Sequence, residues 1–159
     1  MTLRIVPATP RDVPLILSFI RKLAEYEKLS HAVASTEQDL TDALFGPRPV
    51  AETLLAYADD QAVGFALYFE TYSTFRGRRG IFLEDLYVEP SHRGAGIGKR
   101  LLAAVAQAAR DRDGWLQWLV LDWNQPAIEF YRRLGAAKVE EWNSYRMEGE
   151  ALVRLAESL

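Results

Sequence analysis

Cysteine is absent from this chain of 159 residues, and histidine occurs only twice. Without cysteine the chain can form no disulfide bond, no thiolate metal site and no cysteine nucleophile. His31 and His92 lie far apart in the sequence, and neither has metal-ligand spacing around it. We therefore expect no metal site.

An excess of positive charge and long apolar runs are also missing. The chain has 19 Lys and Arg residues against 22 Asp and Glu residues, a formal net charge of −3, so it offers no basic field for a nucleic acid. No apolar run reaches about 18 residues, and the N-terminus lacks the apolar stretch of a signal peptide. These absences predict a cytoplasmic protein that binds neither nucleic acid nor membrane.

The residues that are present have the composition of an ordinary soluble domain. Apolar residues make up 49% of the chain and charged residues 26%, which is the usual balance of a globular protein. The length suits one hydrophobic core, and no repeat or linker interrupts the chain. We expect residues 1–159 to form a single domain.

Hydrophobic periodicity and turn residues divide the chain into strands and helices. Hydroxyl caps at Thr9 and at Ser35-Thr36 mark the starts of two helices, the first running to about Lys28. The predicted strands are residues 3–6, 53–58, 62–72, 81–88, 115–121 and 139–147, the later helices are 97–111, 125–134 and 150–158, and 73–80 is a polar loop. This order indicates an α/β fold whose mixed sheet has helices on both faces.

A glycine-rich loop follows the predicted strand 81–88 and opens the next helix. It reads Arg93-Gly94-Ala95-Gly96-Ile97-Gly98. Glycine lets the backbone approach a ligand closely, and the first N–H groups of a helix point toward an anion. Because Arg93 and Lys99 add positive charge, the loop predicts a phosphate or pyrophosphate cradle. A tight turn that needs glycine for steric reasons is the alternative.

Two common nucleotide-binding motifs do not fit this loop. A dinucleotide fingerprint that starts at Gly94 needs a third glycine where the chain has Lys99. A Walker loop needs Ser or Thr after Gly98-Lys99, where the chain has Arg100. Nucleotide hydrolysis is therefore not expected.

Several segments together resemble one protein family. The loop resembles the R-x-x-G-x-G/A pyrophosphate loop of the GNAT superfamily of N-acetyltransferases. Residues 22–30, 72–78, 83–88 and 121–131 are similar to its spermidine/spermine and thialysine acetyltransferase branch. The resemblance implies the GNAT fold, a central splayed, mostly antiparallel sheet flanked by helices, with acetyl-CoA as co-substrate and a homodimeric assembly. The chain departs from the family pattern at Glu141-Trp142-Asn143-Ser144-Tyr145, so its substrate pocket or dimer edge is expected to differ.

The resemblance also implies where acetyl-CoA binds. The backbone of residues 86–88 would pair with the pantetheine amides, and one N–H group would polarise the thioester carbonyl, an effect on the order of 3 kcal/mol. Read without the resemblance, these residues equally fit an ordinary core strand. The expected cofactor-binding residues are Leu86, Tyr87, Val88, Arg93, Gly94, Ala95, Gly96, Ile97, Gly98, Lys99, Asn124, Gln125, Pro126, Ala127 and Tyr131.

Acetyl transfer to nitrogen needs a neutral amine. A lysine-like amine with a pKa of about 10.4 is mostly protonated at pH 7, so a proton acceptor must lie nearby. Glu84 is the expected base, because the family has a glutamate there and because Glu84-Asp85 interrupts an apolar strand. Asp85 is left open between a structural and a functional role. The resemblance makes Tyr131 the acid for the leaving thiolate, although Phe130 and Tyr131 also fit simple helix packing.

The acceptor is expected at the end of the first helix. By resemblance, Tyr26 and Glu27 would bind a cationic amine there, although a solvated helix end would have similar residues. The expected substrate-binding residues are Tyr26, Glu27, Glu84, Gln117, Trp118, Leu119 and Asp122.

The sequence thus predicts an acetyl-CoA-dependent N-acetyltransferase that acts directly on the primary amine of a small cationic molecule, thialysine or a di- or polyamine. Two alternatives stay open. The acceptor could instead be a protein lysine, a protein N-terminus or an amino sugar. The chain could also be a non-catalytic sensor that binds acyl-CoA.

Overall fold

A five-stranded sheet organises the first part of the chain. A computed structural model describes residues 1–159, which divide into two compact units, Met1–Leu121 and Asp122–Leu159. The sheet lies in the first unit, with its strands in the order β1-β2-β3-β4-β5. The strands are β1 Leu3–Pro7, β2 Glu52–Ala58, β3 Gln61–Ser73, β4 Arg78–Val88 and β5 Leu116–Trp118. The first four are antiparallel to their neighbours, and β5 is parallel to β4.

Helices cover both faces of this sheet. The helices of the first unit are α1 Val13–Tyr26, α2 Glu37–Phe45 and α3 Ile97–Asp111. Helices α1 and α2 bury Phe19, Leu40 and other apolar side chains against Phe65 and Leu67 of β3. Helix α3 packs on β3 and β4, and Arg112 after its end pairs with Glu70. Glu70 is three positions from Leu67 along β3, so the two side chains lie on opposite faces of the sheet. Helix α3 therefore covers the face opposite to α1 and α2.

The predicted start of α2 is confirmed, whereas the start predicted at Thr9 is that of a short 3₁₀ turn before α1. The Thr36 hydroxyl accepts a hydrogen bond from the Asp39 N–H at 3.2 Å, and the Asp39 carboxylate accepts one from the Thr36 N–H at 2.8 Å. The Asp12 carboxylate likewise accepts a hydrogen bond from the Thr9 N–H at 2.7 Å, at a 3₁₀ turn that leads into α1. Such reciprocal capping satisfies N–H groups that have no partner inside the helix.

Two strand predictions in the first unit needed correction. The strand expected at 115–121 covers only Leu116–Trp118, because its pairing with β4 ends at Leu83. The loop expected at 73–80 is mostly strand, since β3 continues to Ser73 and β4 begins at Arg78. Only residues 74–77 form the turn between them.

The second unit, Asp122–Leu159, contains helices α4 Gln125–Arg133 and α5 Gly149–Ala156. The strand expected at 139–147 is absent, so that prediction was wrong. Its apolar residues Val139, Trp142 and Tyr145 recur every third position rather than every second, and no strand of the chain pairs with this segment. The prediction that residues 1–159 form one domain stays a prediction. No helix in the structure is long and apolar enough to span a membrane.

Candidate active site

Strands β4 and β5 separate about halfway along β4. They pair from Ile81 to Leu83, opposite Leu116 to Trp118, and not beyond. On its other side, β4 stays paired with β3 as far as Val88. Residues 84–88 therefore have one edge with no neighbouring strand, which leaves backbone N–H and C=O groups for a ligand to pair with. This is the splay that the family resemblance implied.

A β-bulge lies where the splay begins. Leu67 of β3 pairs with Asp85 and Tyr68 with Leu83, so Glu84 is an extra residue with no cross-strand partner. Directly opposed residues share one face of a sheet, and Asp85 therefore shares the face of Leu67, against which α1 and α2 pack. Without the bulge, strand alternation would place Glu84 on that face instead.

Asp85 has the most perturbed carboxyl group of this region. Its side chain is half-buried, whereas Glu84 is exposed. Burial raises the pKa of Asp85 to about 7, and the negative charges of Glu84 and Glu27 add to the rise. A carboxyl group that titrates near neutrality is suited to accept and release a proton at physiological pH. Asp85, whose role the sequence left open, is thus a second candidate for the proton acceptor beside Glu84.

Glu27 brings further negative charge to the same region from the end of α1. It is the residue that follows the helix, and burial raises the pKa of its carboxyl. The C-terminus of a helix carries a partial negative charge, and the last turn of α1 contains no basic residue. An acid there costs stability without a cationic partner, so the position suits a ligand that brings positive charge.

The glycine loop joins the end of β4 to the start of α3. Gly94 and Gly96 have φ angles of +82° and +78°, and nothing lies within 4 Å of a Cβ built at either position. Glycine is needed here for its backbone conformation and not for lack of space. The first helical hydrogen bond runs from the Arg100 N–H to the Gly96 carbonyl at 3.1 Å. The N–H groups of Ile97, Gly98 and Lys99 precede it, at an uncovered helix start that fits a pyrophosphate.

Arg93, at the start of the loop, turns back toward the protein. Its Nε donates a hydrogen bond to the Val88 carbonyl at 2.9 Å. Its guanidinium carbon lies 4.9 Å from the ring centroid of Tyr26 and 5.6 Å from that of Tyr87. The structure thus brings together residues that the sequence assigned to the cofactor and one that it assigned to the acceptor.

The residues predicted on β5 lie at the short strand and just past it. Gln117 pairs with Phe82 and Trp118 with Leu83, while Leu119 follows the strand and is 71% exposed. Gln117 is exposed and Trp118 half-buried. All three therefore lie at the point where β5 leaves β4.

The remaining predicted residues belong to the second unit. Asn124 caps α4, where its side-chain oxygen accepts a hydrogen bond from the Ala127 N–H at 3.4 Å, with Pro126 in the first turn. The Tyr131 ring contacts that of Phe130 at a centroid distance of 5.3 Å. Asp122 and Gln125 flank the start of the same helix, and the Gln125 side chain donates to the Asp122 carbonyl at 3.3 Å.

Comparison with known proteins identifies the family. The Acetyltransferase (GNAT) family profile matches residues 19–136. The chain belongs to the GNAT family. It is 45% identical to the thialysine N-epsilon-acetyltransferase of Bos taurus over 157 residues, which cover 91% of this chain and 92% of that one. It is 32% identical to the L-ornithine N5-acetyltransferase NATA1 of Arabidopsis thaliana, over 94% of this chain and 86% of that one.

A solved structure supports the same assignment of fold. An integron cassette protein from the mobile metagenome of V. cholerae superposes on this GNAT chain with a TM-score of 0.81. It is 28% identical, and the match covers 99% of both chains. The predicted fold class and family are confirmed, and the protein is an N-acetyltransferase. GNAT enzymes use acetyl-CoA, and the open glycine loop with its uncovered helix start fits the pyrophosphate of that co-substrate.

Asp85 is the candidate residue at the splay whose role the sequence left open. The only available signal was its place beside Glu84 in an apolar strand, and the family resemblance favoured Glu84. The bulge at Glu84 depends on the register with β3, which has no marker in the local sequence. The roles of the individual site residues stay predictions.

Proposed function

We propose that this GNAT enzyme transfers the acetyl group of acetyl-CoA directly to a primary amine of a small cationic acceptor, with thialysine as the first candidate and diamines or ornithine next. The observation that carries the proposal is the half-buried Asp85 at the splay of β4, beside the negative charges of Glu84 and Glu27. The names of the thialysine and ornithine acetyltransferases to which the chain is similar support the same acceptor class.

Asp85 is suited to receive the proton that the acceptor must lose. Acetyl-CoA supplies an activated acetyl thioester, which reacts only with a neutral amine. An ammonium group with a pKa of about 10.4 gives up its proton to a carboxyl of pKa about 7 far more readily than to an ordinary aspartate. The equilibrium constant for this proton transfer differs by about three orders of magnitude between the two carboxyl groups. Thialysine lowers the barrier further, because its sulfur withdraws electron density from the amine.

The other predicted residues complete the proposed site. The backbone N–H of Leu86 faces the open edge of β4, because the hydrogen bond from the Glu89 N–H to the Val63 carbonyl makes Tyr87 one of the alternate residues that bond to β3. There it can pair with the pantetheine chain and stabilise developing negative charge. Glu84 and Glu27 hold the cationic acceptor, and Glu84 remains the alternative proton acceptor. Tyr131, by the family pattern, protonates the leaving sulfur.

Steady-state kinetics across pH test this proposal. Thialysine, lysine, ornithine, putrescine and spermidine would be assayed with acetyl-CoA. We expect kcat/KM for the best acceptor to rise with pH through an apparent pKa near 7. Asp85→Asn should lower kcat/KM on the order of 100-fold and remove that limb of the profile.

The matched control is Asp60→Asn, which removes an exposed carboxyl from the turn between β2 and β3 and should leave the profile unchanged. If Glu84→Gln removes the limb while Asp85→Asn keeps it, Glu84 is the base and the role proposed for Asp85 is wrong. If none of the five amines is acetylated above background, the acceptor class is wrong.

We also propose that the protein is a homodimer, as the family resemblance implies. Large apolar side chains that are exposed in one chain are concentrated in the second unit, where they support a contact with a second copy. Those between residues 139 and 155 are Val139, Trp142, Tyr145, Met147, Leu152, Val153 and Leu155.

A further inference from the structure

Arg93 is held by contacts that the proposed chemistry does not use. Its Nε donates to the Val88 carbonyl, and its guanidinium lies within about 6 Å of two tyrosine rings, the range of a cation–π interaction. One ring, Tyr87, belongs to β4. The other, Tyr26, is the last residue of α1. The arginine at the start of the loop therefore connects the cofactor loop to the helix end that carries Glu27.

The Tyr87 side of this contact is rigid. Tyr87 is buried, its ring packs 5.8 Å from the Phe19 ring of α1, and its hydroxyl donates to Glu89 at 3.2 Å. Glu89 is in turn paired with Lys22 of α1. Tyr26 is different, because its side chain is 38% exposed and it occupies a helix end. Tyr26 is thus the part of the arrangement that a substitution can remove without disturbing the core.

A contact that fixes Arg93 would reduce the conformational freedom of the glycine loop. Gly94 and Gly96 both have positive φ angles with open space around them, so neither is fixed by packing. Glycine has more backbone freedom to lose than any other residue, and ordering a loop on binding weakens affinity. An arginine fixed at the first residue of the loop reduces the freedom that acetyl-CoA must remove.

We propose that Tyr26 is a positioning residue for the cofactor loop. Its ring, together with that of Tyr87, holds the Arg93 guanidinium and keeps residues 93–96 in the conformation that receives the pyrophosphate. Tyr26 then acts on acetyl-CoA affinity through Arg93. The sequence had instead favoured a direct contact between Tyr26 and the acceptor amine. The proposal rests on the proposed function in one respect, namely that acetyl-CoA binds this loop.

The test is a double-mutant cycle on the dissociation constant of acetyl-CoA, measured by isothermal titration calorimetry. Tyr26→Ala should weaken binding about two- to fivefold, the value of an exposed cation–π contact. Tyr26→Phe keeps the ring face and should bind as the wild type does. In an Arg93→Ala background, Tyr26→Ala should change the constant by less than a factor of about two, because the partner is already gone.

The matched control is Tyr57→Ala in β2. Tyr57 makes the same kind of contact, with Arg4 at 5.3 Å, but lies outside the loop and the site, so acetyl-CoA affinity should not change. The proposal is overturned if Tyr26→Ala raises only the KM of the amine and leaves the acetyl-CoA constant unchanged. It is also overturned if the effects of the two substitutions multiply.

Failure of the proposed function would look different, because the wild type itself would then bind no acetyl-CoA. In that event amide hydrogen exchange tests the same arrangement without a ligand. Tyr26→Ala should speed the exchange of the backbone amides of residues 93–96 severalfold, and Tyr26→Phe should not. Unchanged exchange in Tyr26→Ala would refute the positioning role.

Discussion

At the scale of single residues, Asp85 links stability to pH. Its pKa is about 7 in the folded protein and about 3.9 in an unfolded chain. Between these values the folded protein retains a proton that the unfolded chain has lost. The free energy of unfolding therefore falls as the pH rises from about 4 to about 7 and changes little from this group above that range.

Asp85→Asn should remove this dependence, because asparagine stays neutral in both states. At pH 8 we expect its free energy of unfolding to exceed that of the wild type by about 1–3 kcal/mol, with the difference shrinking toward pH 4. Urea denaturation at pH 4.5, 6 and 8 would measure it. Asp60→Asn, at an exposed turn, should follow the wild type throughout. Parallel curves for Asp85→Asn and the wild type would contradict the raised pKa.

The same residue shows how far the sequence could predict the site. Glu84-Asp85 stood out because charge is costly in an apolar strand, and that inference led to the segment where β4 and β5 separate. The choice of Glu84 over Asp85 rested on the family resemblance, and the bulge at Glu84 decides which of the two shares the face of Leu67. A bulge is set by how Leu67 and Tyr68 pair across the sheet. No local pattern in β4 could have indicated it.

At the scale of elements, the loop before α3 owes its shape to glycine conformation. Gly96→Ala would place a side chain at φ +78°, where the clash of Cβ with the backbone costs about 1–2 kcal/mol. We expect that loss in the free energy of unfolding and a dissociation constant for acetyl-CoA at least several-fold weaker, because the substitution shifts the N–H groups at the start of α3.

Gly77→Ala is a close control for this change. Gly77 has a φ of +61° and the same open surroundings, in the turn between β3 and β4. It should lose similar stability with no change in acetyl-CoA affinity. Chemical denaturation and calorimetry on the two variants separate strain from a loss specific to the loop. Equal loss of affinity in both would show that the loop has no special role.

Elements with local signals could be predicted well, and those without them could not. Helices α1, α2 and α3 combine an apolar face with caps or glycine at their starts, and their observed bounds lie close to the expected ones. A strand needs a partner as well as a pattern. Residues 139–147 have β-prone side chains but neither alternation nor a neighbouring strand. Residues 119–121 have no neighbouring strand, because the pairing of β5 with β4 ends at Trp118.

At the scale of the whole molecule, the order of elements predicted the fold class better than any single element did. Strands and helices in this order give a mixed sheet with helices on both faces, and the family match agrees. The errors at 73–80 and 115–121 changed strand lengths and the error at 139–147 removed one predicted strand, but the mixed sheet with helices on both faces is as predicted. Residues 139–147, predicted as a strand, are not part of the sheet.

A second copy of the chain is the partner we expect for that segment. Trp142 is 75% exposed and Tyr145 94% exposed, and α5 buries none of its residues. Soluble monomers rarely expose so many large apolar side chains together. In a twofold dimer each of them would meet the same surface of the other copy, which closes the assembly. Sedimentation equilibrium should therefore give twice the 18.0 kDa mass of one chain.

Charge placed in this segment should separate the two copies. Trp142→Lys and Tyr145→Lys would each bury an unpaired ammonium group in such an interface, at a cost of several kcal/mol. We expect at least a tenfold weaker dimer, read as a shift toward monomer mass at micromolar concentration. Phe75→Lys, which replaces a side chain that is 96% exposed in the first unit, should leave the mass unchanged. A wild-type protein that sediments as a monomer, or a Phe75→Lys variant that dissociates equally, would assign these side chains no role in dimerisation.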